Sequence, residues 1–270
     1  MMLDSHPDLA IPFETHFLPA LFAQVDPPLT SDMFFERVVS SPGWPNMAIA
    51  NEQFRQRLDN IEPFDTVSGV RAFFLMCAER FGKQRWGDKT PAYLHQMTEI
   101  QERLPEAHFI HIIRDGRDVA VSHRGLWWGP GDDAEAAARF WRRGIESARR
   151  QSTDLRKYLE IRYEDLVNDP FAQLAIISRY LDLDYDPAML SYFDRADRLI
   201  ADMVEPIGPP DRPKPSVSTF RSIHERTRHP PDQSRIGRWR LEMTDADQQI
   251  FETEAGSVLK ELGYETRFGI

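Results

Sequence analysis

The first residues able to do chemistry lie at the end of an apolar run. Phe109-Ile110-His111-Ile112-Ile113 leads into Arg114-Asp115-Gly116-Arg117 and then into a helix-like stretch carrying Ser122. An arginine at the carboxyl end of a buried strand, followed by a helix start, suits an anion. The guanidinium fork matches a phosphate, and the helix start adds backbone donors. Ser122, eight residues beyond Arg114, can bring a hydroxyl to the same anion. The competing reading is structural: Arg114 pairs with Asp115 or Asp118, and Ser122 is an ordinary helix residue. A second concentration of charge lies later. Residues 212–240 hold eight Lys and Arg against Glu225 and Asp232, a local excess of +6 in a chain of net charge −10.

These residues need a scaffold. Strands are expected at 109–114 and 159–163, with a weaker one at 9–11. The first is a nearly continuous apolar run, as in a buried parallel strand. A helix over 91–104 opens with Pro91 and repeats Leu94, Met97, Ile100 and Leu104. Another over 134–150 follows Asp132 and Asp133, with Ala137, Phe140, Trp141, Ile145 and Ala148 on one face. A third over 170–181 follows Asp169 and Pro170, with Phe171, Leu174, Ile177 and Leu181 inward. The last, about 245–262, is capped by Thr244, carries Ile250, Phe251, Val258 and Leu262, and stops at Gly263. Alternating helices and strands imply an α/β layered fold with a parallel sheet. Residues 40–46 and 127–133 read as loops, and 205–217, with five prolines, as an extended connection. Pattern resumes at once on either side of each, so residues 1–270 read as a single domain.

Composition narrows the field. The chain has 270 residues, 41% of them hydrophobic, enough for a real core. With 43 acidic and 33 basic residues, it is neither a nucleic-acid binder as a whole nor a polybasic membrane protein. The single Cys77 excludes an internal disulfide and a multi-Cys metal site, and suits a reducing compartment. No ligand-spaced His/Cys cluster occurs, so no metal is expected. The start, Met1-Met2-Leu3-Asp4-Ser5-His6-Pro7-Asp8, lacks the basic and apolar regions of a secretory signal. The apolar run 73–78 is far too short to span a bilayer. A cytoplasmic protein is expected.

Four blocks occur in order: Trp86-Gly87-Asp88-Lys89-Thr90-Pro91, the Arg114–Ser122 segment, Tyr163-Glu164-Asp165-Leu166-Val167-Asn168-Asp169-Pro170, and Ser234-Arg235-Ile236-Gly237-Arg238-Trp239-Arg240. Together they resemble the sulfotransferase superfamily, above all its bacterial and tyrosylprotein types. The resemblance implies a P-loop NTPase-like three-layer fold, with helices flanking a central parallel sheet. It implies 3′-phosphoadenosine 5′-phosphosulfate as co-substrate and a hydroxyl-bearing small molecule, glycan or peptide as acceptor. It assigns Arg114 and Ser122 to the donor's 3′-phosphate and Tyr163 to the adenine. Arg235, Gly237 and Arg238 match the segment that closes over the nucleotide, with Trp239 packing beneath. The basic stretch 212–240 then reads as an anion-binding flap. Lys89 matches the lysine at the leaving phosphosulfate bridge, where a cation lowers the barrier; its ordinary reading is a surface pair with Asp88.

Cytosolic-type members carry Lys-x-His, but Pro91 stands at that histidine position. The tyrosylprotein type uses a glutamate shortly after Leu-Asp-x-His-Pro. The run Leu3-Asp4-Ser5-His6-Pro7 through Glu14 places Glu14 on the matching position as general base. His16 and His95 lie off it and read as ordinary polar residues.

The family's first strand and its Pro-Arg-Ser-Gly-Thr-Thr phosphosulfate loop should precede Leu3, and neither occurs in these residues. About four charged hydrogen bonds at roughly 1.5–3 kcal/mol each would be lost with that loop, against about 8 kcal/mol for micromolar binding. Two expectations follow: a start further upstream, or a loop-less protein on the same scaffold that binds a nucleotide weakly or a partner. A P-loop kinase is disfavoured, because no Gly-Lys-Ser/Thr loop exists. The favoured outcome is an in-frame Pro-Arg-Ser-Gly-Thr coding segment upstream of Met1, read by sequencing the locus. A stop codon directly upstream would overturn it.

Overall fold

The computed structural model describes residues 1–23, 26–208 and 212–268. The backbone clusters into two compact units. The first comprises 1–107, 184–207 and 215–230, the second 108–183, 208–214 and 231–270. The tip of the expected 205–217 connection, 209–211, lies outside the described residues.

In the first unit, β1 (Leu9–Ala10) pairs in parallel with β2 (Arg85–Trp86), Leu9 opposite Arg85. Helix α1 (Thr66–Glu79) is capped by Asp65, whose side chain accepts from the Ser68 amide at 2.9 Å. Its positions 70, 73, 74 and 77 recur at helical spacing and are all buried. They meet an aromatic core. Phe73 lies edge-on to Phe17 and Phe54, and Phe74 stacks on Trp86 with 4.6 Å between centroids. That stack seats β2 just before Asp88 and Lys89. The expected single helix over 91–104 is instead a 3-10 turn, Pro91–His95, followed by α2 (Met97–Arg103). Gln96 breaks the run with φ −136° and ψ 23°. The tight turn carries the buried Tyr93, whose hydroxyl accepts from the Leu18 amide at 3.1 Å.

In the second unit, β3 (Phe109–Ile113) pairs in parallel with β4 (Tyr158–Arg162), from Phe109 opposite Tyr158 to Ile113 opposite Arg162. Helix α3 (Gly116–His123) follows β3 at once. Helices α4 (Ala134–Ser152), α5 (Pro170–Tyr180) and α6 (Asp245–Glu261) start where expected. Asp133, Asp169 and Thr244 accept from the amides of Ala136, Ala172 and Asp247 at 2.6, 3.0 and 3.1 Å. Ile113, Val121, Ala138, Trp141, Ile145, Phe251, Val258 and Leu259 form one core among β3, α3, α4 and α6.

The helix-rich α/β character holds, with small parallel sheets. Each unit has its own two-stranded parallel sheet among the described residues. Strand β3 is less enclosed than its apolar run implies. It has one neighbour, and Ile112 remains 51% exposed while Ile113 is buried. Phe140, Phe171 and Ile250, expected inward, are exposed. In α4 and α6 the buried stripe centres on Ala138, Trp141, Phe251 and Ala255, leaving Phe140 and Ile250 at its margin. No described helix is long and apolar enough to cross a membrane.

A paired test follows from α6. Phe251→Ala should lose about 3–5 kcal/mol of stability by emptying a fully buried site. Ile250→Ala, one residue away, should change it by less than about 0.5 kcal/mol. Denaturant unfolding of both variants checks the assignment of the buried face.

Candidate active site

In the second unit the expected anion residues gather around Asp118. The Asp118 carboxylate has no solvent exposure and accepts from the Gly237 amide at 2.7 Å and the Trp239 amide at 3.0 Å. Gly237 sits at φ +74°, a conformation that favours glycine. Arg114, at the end of β3, lies 3.7 Å from Asp118 and donates to the Arg235 carbonyl at 2.6 Å. Its guanidinium carbon stands 4.5 Å from the centroid of the Tyr163 ring. Burial pushes the Tyr163 phenol above its ordinary range, and Arg114 opposes that rise. One strand end, one helix start and the turn at 235–239 are thus tied together.

Two guanidinium nitrogens here are buried without a hydrogen-bond partner: Arg114 Nε and Arg238 Nη1. Arg238 otherwise grips Glu242 through two bonds of 2.6 Å. Unsatisfied buried donors are costly, and an anion would satisfy them. Ser122 is half-buried one helical turn beyond Asp118, on the same face of α3. Among the described residues it forms no hydrogen bond with Arg114. Nearby His123 has its imidazole pushed down to about 4 by burial and then by Arg114. Trp239 is buried and lies under Arg117, 3.6 Å from the guanidinium carbon to the ring centroid.

Sequence reasoning passed over Arg117. It is wholly buried, bonding Asp115 at 2.8 Å, Glu252 at 2.6 Å and the Glu265 carbonyl at 2.9 Å. The Arg-Asp-Gly-Arg-Asp run was the signal. Within it Arg117 and Asp118 are wholly buried and tie the frame together, while Arg114 keeps a buried Nε without a partner.

In the first unit, Glu14 and Lys89, 75 residues apart in sequence, form an ion pair. Lys89 therefore pairs with Glu14 and not with its neighbour Asp88. The lysine is 65% exposed and the glutamate 26%. His16 lies 3.1 Å from the other Glu14 oxygen and adopts φ +58°, a strained value for a non-glycine residue. Burial raises the Glu14 pKa, but the bonds from His16 and Lys89 outweigh it and leave the carboxyl below its ordinary range. His224 also feels this pair. Burial and Lys89 lower its pKa, and Glu14 opposes them. His95 is not part of the described pair.

Asp88 and Thr15 were also missed. The Thr15 hydroxyl donates to Asp88 at 2.5 Å, and its amide donates to the Thr90 hydroxyl at 3.0 Å. Burial pushes the Asp88 carboxyl up to about 6, against the bonds from Thr15 and Thr90. The only sequence signal was position, since each residue adjoins one member of the ion pair. Among the described residues no cluster of three or more His, Cys, Asp or Glu is placed to hold a metal.

Comparisons with known proteins bear on the family and the fold. The Sulfotransferase family model matches residues 1–187. Protein-tyrosine sulfotransferase 1 of Danio rerio is 27% identical over 203 residues, which cover 71% of this chain and 51% of that protein. The chain thus spans about half the length of that curated relative. The sulfotransferase domain from the Synechococcus PCC 7002 olefin synthase aligns over 98% of this chain and 89% of its own, with TM-score 0.58 and 21% identity. The sulfotransferase domain from the curacin biosynthetic pathway aligns over 98% and 92%, with TM-score 0.59 and 16% identity. These two establish a shared fold. The match over residues 1–187 makes the chain a member of the sulfotransferase family.

Proposed function

We propose that the chain is an O-sulfotransferase that moves a sulfuryl group from 3′-phosphoadenosine 5′-phosphosulfate to an acceptor hydroxyl. The observation that carries this reading is the Glu14–Lys89 ion pair, which unites the two residues nominated for base and leaving-group roles. The acceptor oxygen forms a bond to sulfur as the bond from sulfur to the phosphosulfate bridge breaks. Glu14 takes the hydroxyl proton. Lys89 stabilises the charge that develops on the bridging oxygen. A carboxylate below its ordinary pKa is ionised at neutral pH but weakly basic. When Lys89 turns to the donor's bridge, Glu14 loses its counter-charge and becomes more basic. The pair is thus a resting state that donor binding opens.

Arg114, Ser122, Tyr163, Arg235, Gly237, Arg238 and Trp239 are proposed to hold the nucleotide. The unsatisfied Arg114 Nε and Arg238 Nη1 support this, being buried donors that suit phosphate oxygens. The Gly237 and Trp239 amides are already taken by Asp118, so that segment contributes shape and the arginine side chains contribute charge. For residues 1–270 the reading is a single catalytic domain with a P-loop NTPase-like plan. The acceptor is a hydroxyl-bearing small molecule, glycan or peptide. The tyrosine named for the Danio rerio relative makes a phenolic hydroxyl the first to try. A cytoplasmic setting goes with the single, buried Cys77. A second reading is a nucleotide-binding protein on the same scaffold without transferase activity, in keeping with a Glu14 carboxyl that His16 and Lys89 hold below its ordinary range and so weakly basic.

Two measurements test the proposal. Calorimetry should show adenosine 3′,5′-bisphosphate binding that weakens about 10- to 150-fold in Arg114→Ala, the loss of one charged hydrogen bond. Unchanged affinity would refute the 3′-phosphate assignment. Glu14→Gln should slow sulfate transfer about 100- to 10,000-fold. Full transfer in that variant would refute the base assignment, and binding without transfer in the parent chain would favour the second reading.

A further inference from the structure

Beside the Glu14–Lys89 pair runs a line of hydrogen bonds with a fixed direction. The Asp88 carboxylate can only accept, so the Thr15 hydroxyl gives its proton to Asp88 Oδ2 at 2.5 Å. The Tyr93 hydroxyl, 2.8 Å from Thr15 Oγ1, must then donate to it. Tyr93 in turn accepts from the Leu18 amide at 3.1 Å. Three donors therefore point one after another toward one carboxylate, an arrangement in which each bond polarises the next. A parallel link joins the Thr15 amide to the Thr90 hydroxyl at 3.0 Å. Thr15, Thr90 and Tyr93 are buried. Asp88 keeps some surface as a residue, but its Oδ1 is closed off and has no hydrogen-bond partner. Thr15 follows Glu14, and Asp88 precedes Lys89. The two links thus join the residue after Glu14 to the residues on either side of Lys89.

We propose that Asp88 is a positioning residue, which clamps residues 14–15 to residues 88–90 through Thr15 and so sets where the Glu14 carboxylate and the Lys89 ammonium meet. This rests on the transferase reading above for its purpose, though not for its geometry. The exposed ion pair cannot fix its own position, because half-solvated pairs are worth little. The buried clamp can. Its strength depends on the Asp88 charge. The groups that act on that carboxylate are Thr15 and Thr90 by hydrogen bonding, Glu14 by repulsion and His16 by attraction. Tyr93 and Cys77 feel its charge in return. With burial raising its pKa to about 6, Asp88 gains a proton in mild acid. The charge that draws in the Thr15 proton is then lost, and the clamp weakens.

The test compares Asp88→Asn, Thr15→Val and Thr15→Ser with the parent chain, each checked for a cooperative thermal transition. Transfer from 3′-phosphoadenosine 5′-phosphosulfate to 4-nitrophenol gives kcat and donor KM. Asp88→Asn and Thr15→Val should lower kcat about 10- to 100-fold with donor KM nearly unchanged, as for a misplaced reacting group. Thr15→Ser, which keeps the hydroxyl, should retain parental kcat. In the parent and Thr15→Ser, kcat should fall as pH drops through about 6, and Asp88→Asn should lack that limb. Carbon-13 NMR of the Glu14 side-chain carboxyl reads the clamp without activity. Its titration should show a second inflection near pH 6 that disappears in Asp88→Asn. Parental kcat and pH profile in folded Asp88→Asn, or an inflection that persists there, would overturn the proposal. If no form transfers sulfate to 4-nitrophenol, the transferase reading fails with that probe and the NMR titration alone decides the clamp.

Discussion

Two charged residues at the start of α3 have no solvent exposure at all. Arg117 and Asp118 are fully buried, and a buried charge is tolerated only when paired and hydrogen-bonded. That constraint organises the second unit. Arg117 reaches Asp115, Glu252 on α6 and the Glu265 carbonyl, which brings the end of the chain back to the β3–α3 junction. Asp118 takes the amides of Gly237 and Trp239, which fixes the 235–239 turn against the same junction. Arg114 is thereby left between a fixed turn and the Tyr163 ring. Removing one partner from such a set typically costs about 3–5 kcal/mol, because an uncompensated charge stays behind. The residues proposed to bind the anion are fixed in place because the residues beside them have no freedom.

The Glu14–Lys89 pair obeys the opposite rule. Its lysine is mostly solvated, so the ion pair is weak and easily exchanged for another anion. A lysine locked in a buried pair could not transfer its interaction to a leaving group, as the proposed role of Lys89 requires. Precision for this pair comes from its neighbours. Thr15 and Asp88 are cross-linked below it, and His16 is held in a left-handed conformation beside it. Rigid backbone with mobile charge is the combination that in-line group transfer requires.

The parts of this plan legible in the sequence were those with local causes. Strand 109–113 followed from an apolar run, and helices α4 to α6 from cap residues that bind amides three positions ahead. Strand β2 was not legible, because two residues carry no alternation and its place is set by Trp86 stacking on Phe74. The break at Gln96 depends on Tyr93 reaching Leu18 and Thr15, contacts across 75 or more residues. Phe140, Phe171 and Ile250 were misread because helical spacing gives a face but not its centre. Glu14 and Lys89 were nominated through resemblance, and the fold pairs them. Asp88 and Thr15 follow no short-range pattern, since a polar pair 73 residues apart exists only once the fold brings them together.

Formal charge misleads for the same reason. The +6 stretch at 212–240 read as a cationic flap, yet most of its arginines are engaged within the protein. Arg212 binds the carbonyls of Trp127 and Gly129, and Arg221 those of Ala201 and Met203. Arg228 pairs with Asp197 and Glu225, Arg238 with Glu242, and Arg240 with Glu265. A guanidinium with saturated donors attracts an anion only through a field that salt screens. A buried donor with no partner is different, because every anion that reaches it removes a desolvation cost already present in the folded state. By that criterion the proposed affinity for phosphate would rest on Arg114 Nε and Arg238 Nη1 more than on the charge of the segment around them.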